Sequence, residues 1–170
     1  MTTKLDWLNN LPPAEAEREF AHCCGATRWA RTMAAERPFA SADRMQVKAT
    51  ECFLLLEDTD WLEAFSHHPL IGDVESLRAK YAANRTWSTQ EQARAMTAAD
   101  ETLEALARGN REYKERFGHI FIVFATGKSA DEMLALLNAR IHNDAATELR
   151  TAAAEQRKIT RLRLEKLIAP

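Results

Sequence analysis

His119-Ile-Phe-Ile-Val-Phe-Ala125 is the stretch on which the fold turns. Its β-branched and aromatic residues have the propensity of a buried strand. A strand needs a partner, and no other run in the chain offers one. The surroundings read as helix: there is no proline between residues 81 and 169, and the 170 residues contain only five glycines and five prolines. Residues 119–125 therefore read as an extended segment inside an all-α core, leading into a helix. Its backbone amides then need partners that no sheet supplies, and a ligand is one candidate.

Working outward, Pro12-Pro13 before an acidic run reads as a helix start, since proline fits a first turn and acids there suit the helix dipole. A short helix follows over 29–36, closed ahead of Pro38. Residues 43–57 carry Met45, Val47, Ala49, Cys52, Phe53 and Leu56 at helical spacing. Residues 60–67 form a helix that Pro69 must stop, and 69–73 read as a turn. Ser88 opens a run to about 107 that Gly109 breaks, and a short helix over 112–117 ends at Gly118. Ser129 opens the next, with Met133, Leu134, Leu136, Leu137 and Ile141, and the last covers 145–168. No repeat or low-complexity linker interrupts this pattern. The expectation is one all-α domain, 1–170, a bundle of about eight helices.

Charge and cysteines exclude several classes of function. With 23 basic and 25 acidic side chains the net charge is −2, which gives no general grip on nucleic acid or an anionic membrane. Cys23, Cys24 and Cys52 form no disulfide framework and no CxxC, and read as buried thiols in a reducing cytoplasm. The first residues lack the apolar core of a signal peptide, no window is apolar enough to span a bilayer, and the chain ends Leu-Ile-Ala-Pro rather than in a peroxisomal tripeptide. His22, His67, His68, His119 and His142 make no HExxH and no ligand cluster, and there is no Walker loop or GxGxxG. The expectation is chemistry without metal or nucleotide.

Three features could carry that chemistry. His68, at a helix end beside Pro69, can be presented into a cleft as an acid or base; alternatively it only complements the helix dipole. Ser88 and Glu91 form a capping box, as do Ser129 and Glu132, and a capped helix start can also offer donors to a polar ligand. Arg163 falls near the middle of an apolar stripe on the last helix, formed by Leu149, Ala152, Ile159 and Leu167. A guanidinium there needs an anionic partner, either Glu51 or Glu57 within the protein or the carboxylate of a ligand. Trp61 and Trp87 read as core.

HHPLIGD, WSTQEQ, ERFGHIFIVFATGKSADEML and KITRLRLEKL resemble, in that order, the signatures of the OHCU decarboxylases, enzymes acting on 2-oxo-4-hydroxy-4-carboxy-5-ureidoimidazoline. The resemblance covers about residues 60 to 168. It implies an all-α fold, often a homodimer, with no cofactor, a small ureide substrate, and the conversion of OHCU to (S)-allantoin in urate catabolism. It also implies roles. His68, rather than His67, matches the catalytic histidine, Pro69 shapes its corner, and Glu91 is the second catalytic group. Ser88, Gln92, the segment Phe121, Ile122, Val123, Phe124 and Ala125, and Arg163 match substrate-binding positions. Departures from the family pattern fall at Leu70, Arg94 and Ile120, none of them a polar group the chemistry needs. The rival reading is a non-enzymatic helical module in which His68 and Arg163 bind an anion or stabilise the core. Convergence of His68, Glu91 and Arg163 on one pocket separates the two.

Overall fold

The computed structural model describes residues 3–69, 73–81 and 89–169, with no side chains described for 80–81 and 89–98. Among the described residues there are nine α-helices and no strand: α1 (Lys4–Asn10), α2 (Pro13–Cys23), α3 (Thr27–Ala35), α4 (Ala42–Phe53), α5 (Asp58–Ser66), α6 (Val74–Tyr81), α7 (Thr89–Phe117), α8 (Ala130–Arg140) and α9 (Ala145–Leu167). The chain divides into two compact units. One comprises 1–68, 122–124 and 149–170; the other comprises 69–121 and 125–148.

Local chemistry accounts for most helix starts. Thr3 and Asp6 close a capping box on α1, Pro13 occupies the first turn of α2, and the Ser41 side chain accepts from the Arg44 amide at the start of α4. The expected box at Ser129 is present, with Ser129 N–H donating to Glu132 at 2.7 Å and Glu132 N–H to Ser129 at 3.2 Å. The matching box at Ser88 lies outside the described residues. Asp73, read as the end of a turn, accepts from the amide and hydroxyl of Ser76, both at 2.7 Å, and so caps α6.

The core of the first unit is aromatic. Phe20 meets Trp29 edge-on at 6.1 Å, Trp29 stacks on Phe53 at 5.2 Å, and Phe53 stacks on Trp61 at 5.4 Å. Cys23, Cys24 and Cys52 are buried free thiols, as expected. Trp61 is core, while Trp87 lies outside the described residues.

The helix boundaries require three corrections. The sequence shows neither α1 nor α6. Helix α4 ends at Phe53 rather than 57, leaving Leu54 72% exposed, and its expected inner residue Val47 is 45% exposed. Finally, α7 runs unbroken through Gly109. A Cβ on Gly109 would lie 2.7 Å from Leu137 Cδ2, so this glycine admits α8 rather than ending α7. Gly118 does end it, at φ +75°.

Candidate functional site

In the first unit, α5 ends where Pro69 forbids another turn. The amides of His67 and His68 close that end on the carbonyls of Ala64 and Phe65, at 3.3 and 3.1 Å. His67 is exposed and lies over Gly25. His68 is half-buried, with its Nε2 2.6 Å from Gln156 Oε1. Gln156, fully buried, donates from Nε2 to the hydroxyl of Thr160 at 3.2 Å, also fully buried. The Thr160 hydroxyl in turn meets the Cys24 thiol, whose pKa burial pushes up to about 11. A chain of neutral groups thus runs from Cys24 to the imidazole.

Burial holds the His68 pKa below the usual 6.5, opposed by the bond to Gln156 and reinforced by the charges of Arg163 and His67. The imidazole is therefore neutral near pH 7.

Arg163 stands one α9 turn beyond Thr160 and is half-buried. Its Nη1 faces the carbonyls of His22 and Cys23, at 3.4 and 3.3 Å, where a cation complements the C-terminus of α2. Neither carboxylate considered as its partner reaches it: Glu51 pairs with Lys48 at 2.7 Å and Glu57 with Arg28 at 3.5 Å. Among the described residues no carboxylate neutralises Arg163.

The buried face of α9 also differs from the expected stripe. Ala152, Gln156, Thr160 and Leu164, spaced four apart, are fully buried, whereas Leu149, Ile159 and Leu167 are half-buried. Hydropathy sets the inner face through the apolar residues, and here two polar residues lie at its centre because they have partners. Gln156 and Thr160, which bond to the candidate His68 and to each other, were not among the residues singled out from sequence. Their spacing with Ala152 and Leu164 was the available signal.

Residues 120–125 form neither helix nor strand. Ile122 is buried, while Phe121, Val123, Phe124 and Ala125 are half-buried. The Phe124 amide donates to the Glu155 carboxylate at 2.7 Å, so that donor is satisfied within the protein. In the second unit the Phe121 ring meets Tyr113 at 5.1 Å and lies under the Arg140 guanidinium at 4.6 Å. Pro69 is exposed directly after His68. Glu91 and Gln92 belong to the first turn of α7 with side chains outside the described residues, and Ser88 lies outside them altogether. Among the described residues no three His, Cys, Asp or Glu side chains are grouped to hold a metal. No helix there is long and apolar enough to cross a membrane.

Residues 9–165 match the family model of the OHCU decarboxylases. The chain belongs to the OHCU decarboxylase family. It is 41% identical over 155 residues to the uric acid degradation bifunctional protein TTL of Arabidopsis thaliana, covering 90% of this chain and 47% of that one. It is 31% identical to the 2-oxo-4-hydroxy-4-carboxy-5-ureidoimidazoline decarboxylase of Amia calva, covering 78% and 75% respectively. The chain thus spans about half the length of the Arabidopsis relative, and 32% of a bifunctional relative from Bacillus sp. (strain TB-90). A crystal structure of an OHCU decarboxylase obtained in the presence of (S)-allantoin superposes with a TM-score of 0.72 at 37% identity, covering 89% of this chain and 98% of the other.

Proposed function

We propose that this member of the OHCU decarboxylase family converts OHCU to (S)-allantoin in urate catabolism, as a carboxy-lyase needing no cofactor. The observation that carries this reading is the family match over residues 9–165, within which a neutral His68 bonds Gln156 on α9, the helix that also carries Arg163, a cation with no carboxylate partner among the described residues.

The substrate contains its own electron sink. The carboxylate departs from a carbon that also bears a hydroxyl and adjoins a ring C=N bond. As the C–C bond breaks, its electron pair passes to that imine, whose nitrogen takes up one proton, and CO₂ leaves. The resulting enol then becomes a carbonyl: its hydroxyl proton is lost, and a proton is added on one face of the carbon bearing the ureido group. In this reading His68 handles these protons, with Glu91 orienting the imidazole or the hydroxyl. Arg163 supplies its fork of donors to the carboxylate or carbonyl. Pro69, Ser88, Gln92 and the segment 121–125 hold the rest of the ureide. The Phe124 amide is not among them, because Glu155 takes it.

Both units belong to one domain, 1–170, in this reading, and the enzyme acts as a cytoplasmic homodimer. OHCU generated in situ from urate, followed by absorbance and by circular dichroism of the allantoin formed, tests the activity. Faster decay with an excess of the S enantiomer supports it. Decay unchanged by the protein overturns it in favour of a ligand-binding module.

A further inference from the structure

We propose that Gln156 and Thr160 are positioning residues for His68: they fix its imidazole as the Nε2–H tautomer and leave Nδ1 as the nitrogen that meets the substrate. The inference rests on the decarboxylase reading for its consequence, though not for its geometry.

The geometry is a matter of donors and acceptors. Gln156 Oε1 lies 2.6 Å from His68 Nε2, and Gln156 Nε2 lies 3.2 Å from Thr160 Oγ1. An amide oxygen only accepts, so the proton between it and the ring belongs to Nε2. Gln156 and Thr160 are both 0% exposed, so neither can exchange its partner for bulk water without a desolvation cost. The Cys24 thiol, kept protonated by burial, ends the chain on Thr160. Four residues apart on α9, Gln156 and Thr160 share one face, and that rigid helix sets the plane of the ring.

The choice of amide over carboxylate has a chemical consequence. A carboxylate behind a histidine stabilises imidazolium and raises its pKa. Gln156 fixes the tautomer without that charge. Among the described residues the charged groups bearing on His68 are Arg163 and His67, and both oppose protonation. The ring is thereby held as a neutral base whose Nδ1 is suited to accepting the substrate's hydroxyl proton, which leaves Glu91 the hydroxyl rather than the ring to orient.

The test uses the full chain with ¹⁵N-labelled histidine, the His68 signals being assigned by their loss in His68→Asn. The wild type at pH 7 is expected to show Nε2 protonated and Nδ1 bare; the opposite tautomer, or an even mixture, overturns the proposal. Gln156→Glu should keep that tautomer but move the imidazole titration, and with it the acid limb of kcat/KM, upward by a unit or more. Gln156→Leu should lose the tautomer preference and lower kcat at least tenfold while KM stays within about threefold. Unchanged tautomer and pH profile in both folded variants also overturns it. Should the wild type leave OHCU decay unaltered yet show the expected tautomer and Gln156→Glu titration, the decarboxylase reading fails while the arrangement around His68 stands.

Discussion

Arg140 and Glu148 form an ion pair that is almost sealed from water, with side chains 10% and 0% exposed. The Arg140 Nε donates to Glu148 Oε1 at 2.8 Å, the Tyr113 hydroxyl donates to the same oxygen, and Asn143 donates to the other at 2.8 Å. Arg140 also lies over Phe121, so the pair anchors the entry to the extended segment. Removing one partner leaves a buried charge uncompensated. Glu148→Ala should lower the unfolding free energy by about 3–5 kcal/mol. Glu148→Gln, which preserves the shape, should also be destabilising. Urea unfolding of the purified variants measures both.

Activity should persist on the acid side of neutrality. Burial holds His68 below 6.5, so its base form survives to lower pH than an ordinary histidine's. The acid limb of kcat/KM should therefore fall below pH 6.5. Stability follows the same sign. His68 and His119 both have lowered folded-state values, so the unfolded chain binds more protons as pH falls through 6.5 toward those values. Folding stability should be lost across that window, and less steeply in His68→Asn. Thermal unfolding between pH 7.5 and 5 reads the slope.

His68→Ala should lower kcat by about 10²–10⁴, the usual worth of a positioned acid or base. The allantoin that still forms should be nearly racemic. A folded variant retaining wild-type rate and enantiomeric excess contradicts the assignment.

Gly25 sets the position of the histidine corner. A Cβ there would stand 2.5 Å from His67 Cγ and 2.7 Å from its Cβ. Gly25→Ala must push that corner away, at roughly 1–3 kcal/mol of stability. Since His68 is the next residue, kcat should fall at least tenfold. The corresponding change at Gly127, where a Cβ meets nothing but φ is +77°, should affect stability without that loss. Steady-state kinetics on OHCU alongside melting temperatures separates the two.

Gly109 tests the packing of α7 on α8. Alanine there gains about 1 kcal/mol in helix propensity. It also meets Leu137 Cδ2 at 2.7 Å, and Leu137 is fully buried. Overpacking costs about 1–3 kcal/mol, so Gly109→Ala should be net destabilising. Combining it with Leu137→Val should recover part of the loss, a coupling that a double-mutant cycle measures.

Glu155 should matter to the extended segment. Its carboxylate accepts from the Phe124 amide and also pairs with Lys158. Glu155→Ala leaves a half-buried amide without that acceptor, so KM for OHCU should rise several-fold, whereas Lys158→Ala should change it little.

Much of the helical framework was legible because its determinants are local. Pro13 opens α2, Ser129 caps α8 within three residues of itself, Pro69 stops α5, and Gly118 ends α7. The segment 119–125 was legible by subtraction, as strand propensity without a strand partner. Gly109 misled, because a glycine that admits a neighbouring helix and one that ends its own look alike in sequence. Among the candidate site residues, His68 stood out by its place beside Pro69 and Arg163 by its place on the apolar stripe of the last helix, and the family signatures matched both. Gln156 and Thr160 did not, because they interrupt the apolar periodicity used to find a buried face.

The sequence by itself determined an all-α chain, its capped helix starts, the His68–Pro69 corner and membership signals for the OHCU decarboxylases. Tertiary structure decided which polar groups could be buried. His68 and Gln156 are 88 residues apart, and only folding places the acceptor that makes each one's burial affordable. Propensity and capping act over a few residues, whereas a buried hydrogen bond is worth making only when its distant partner has already been brought within reach.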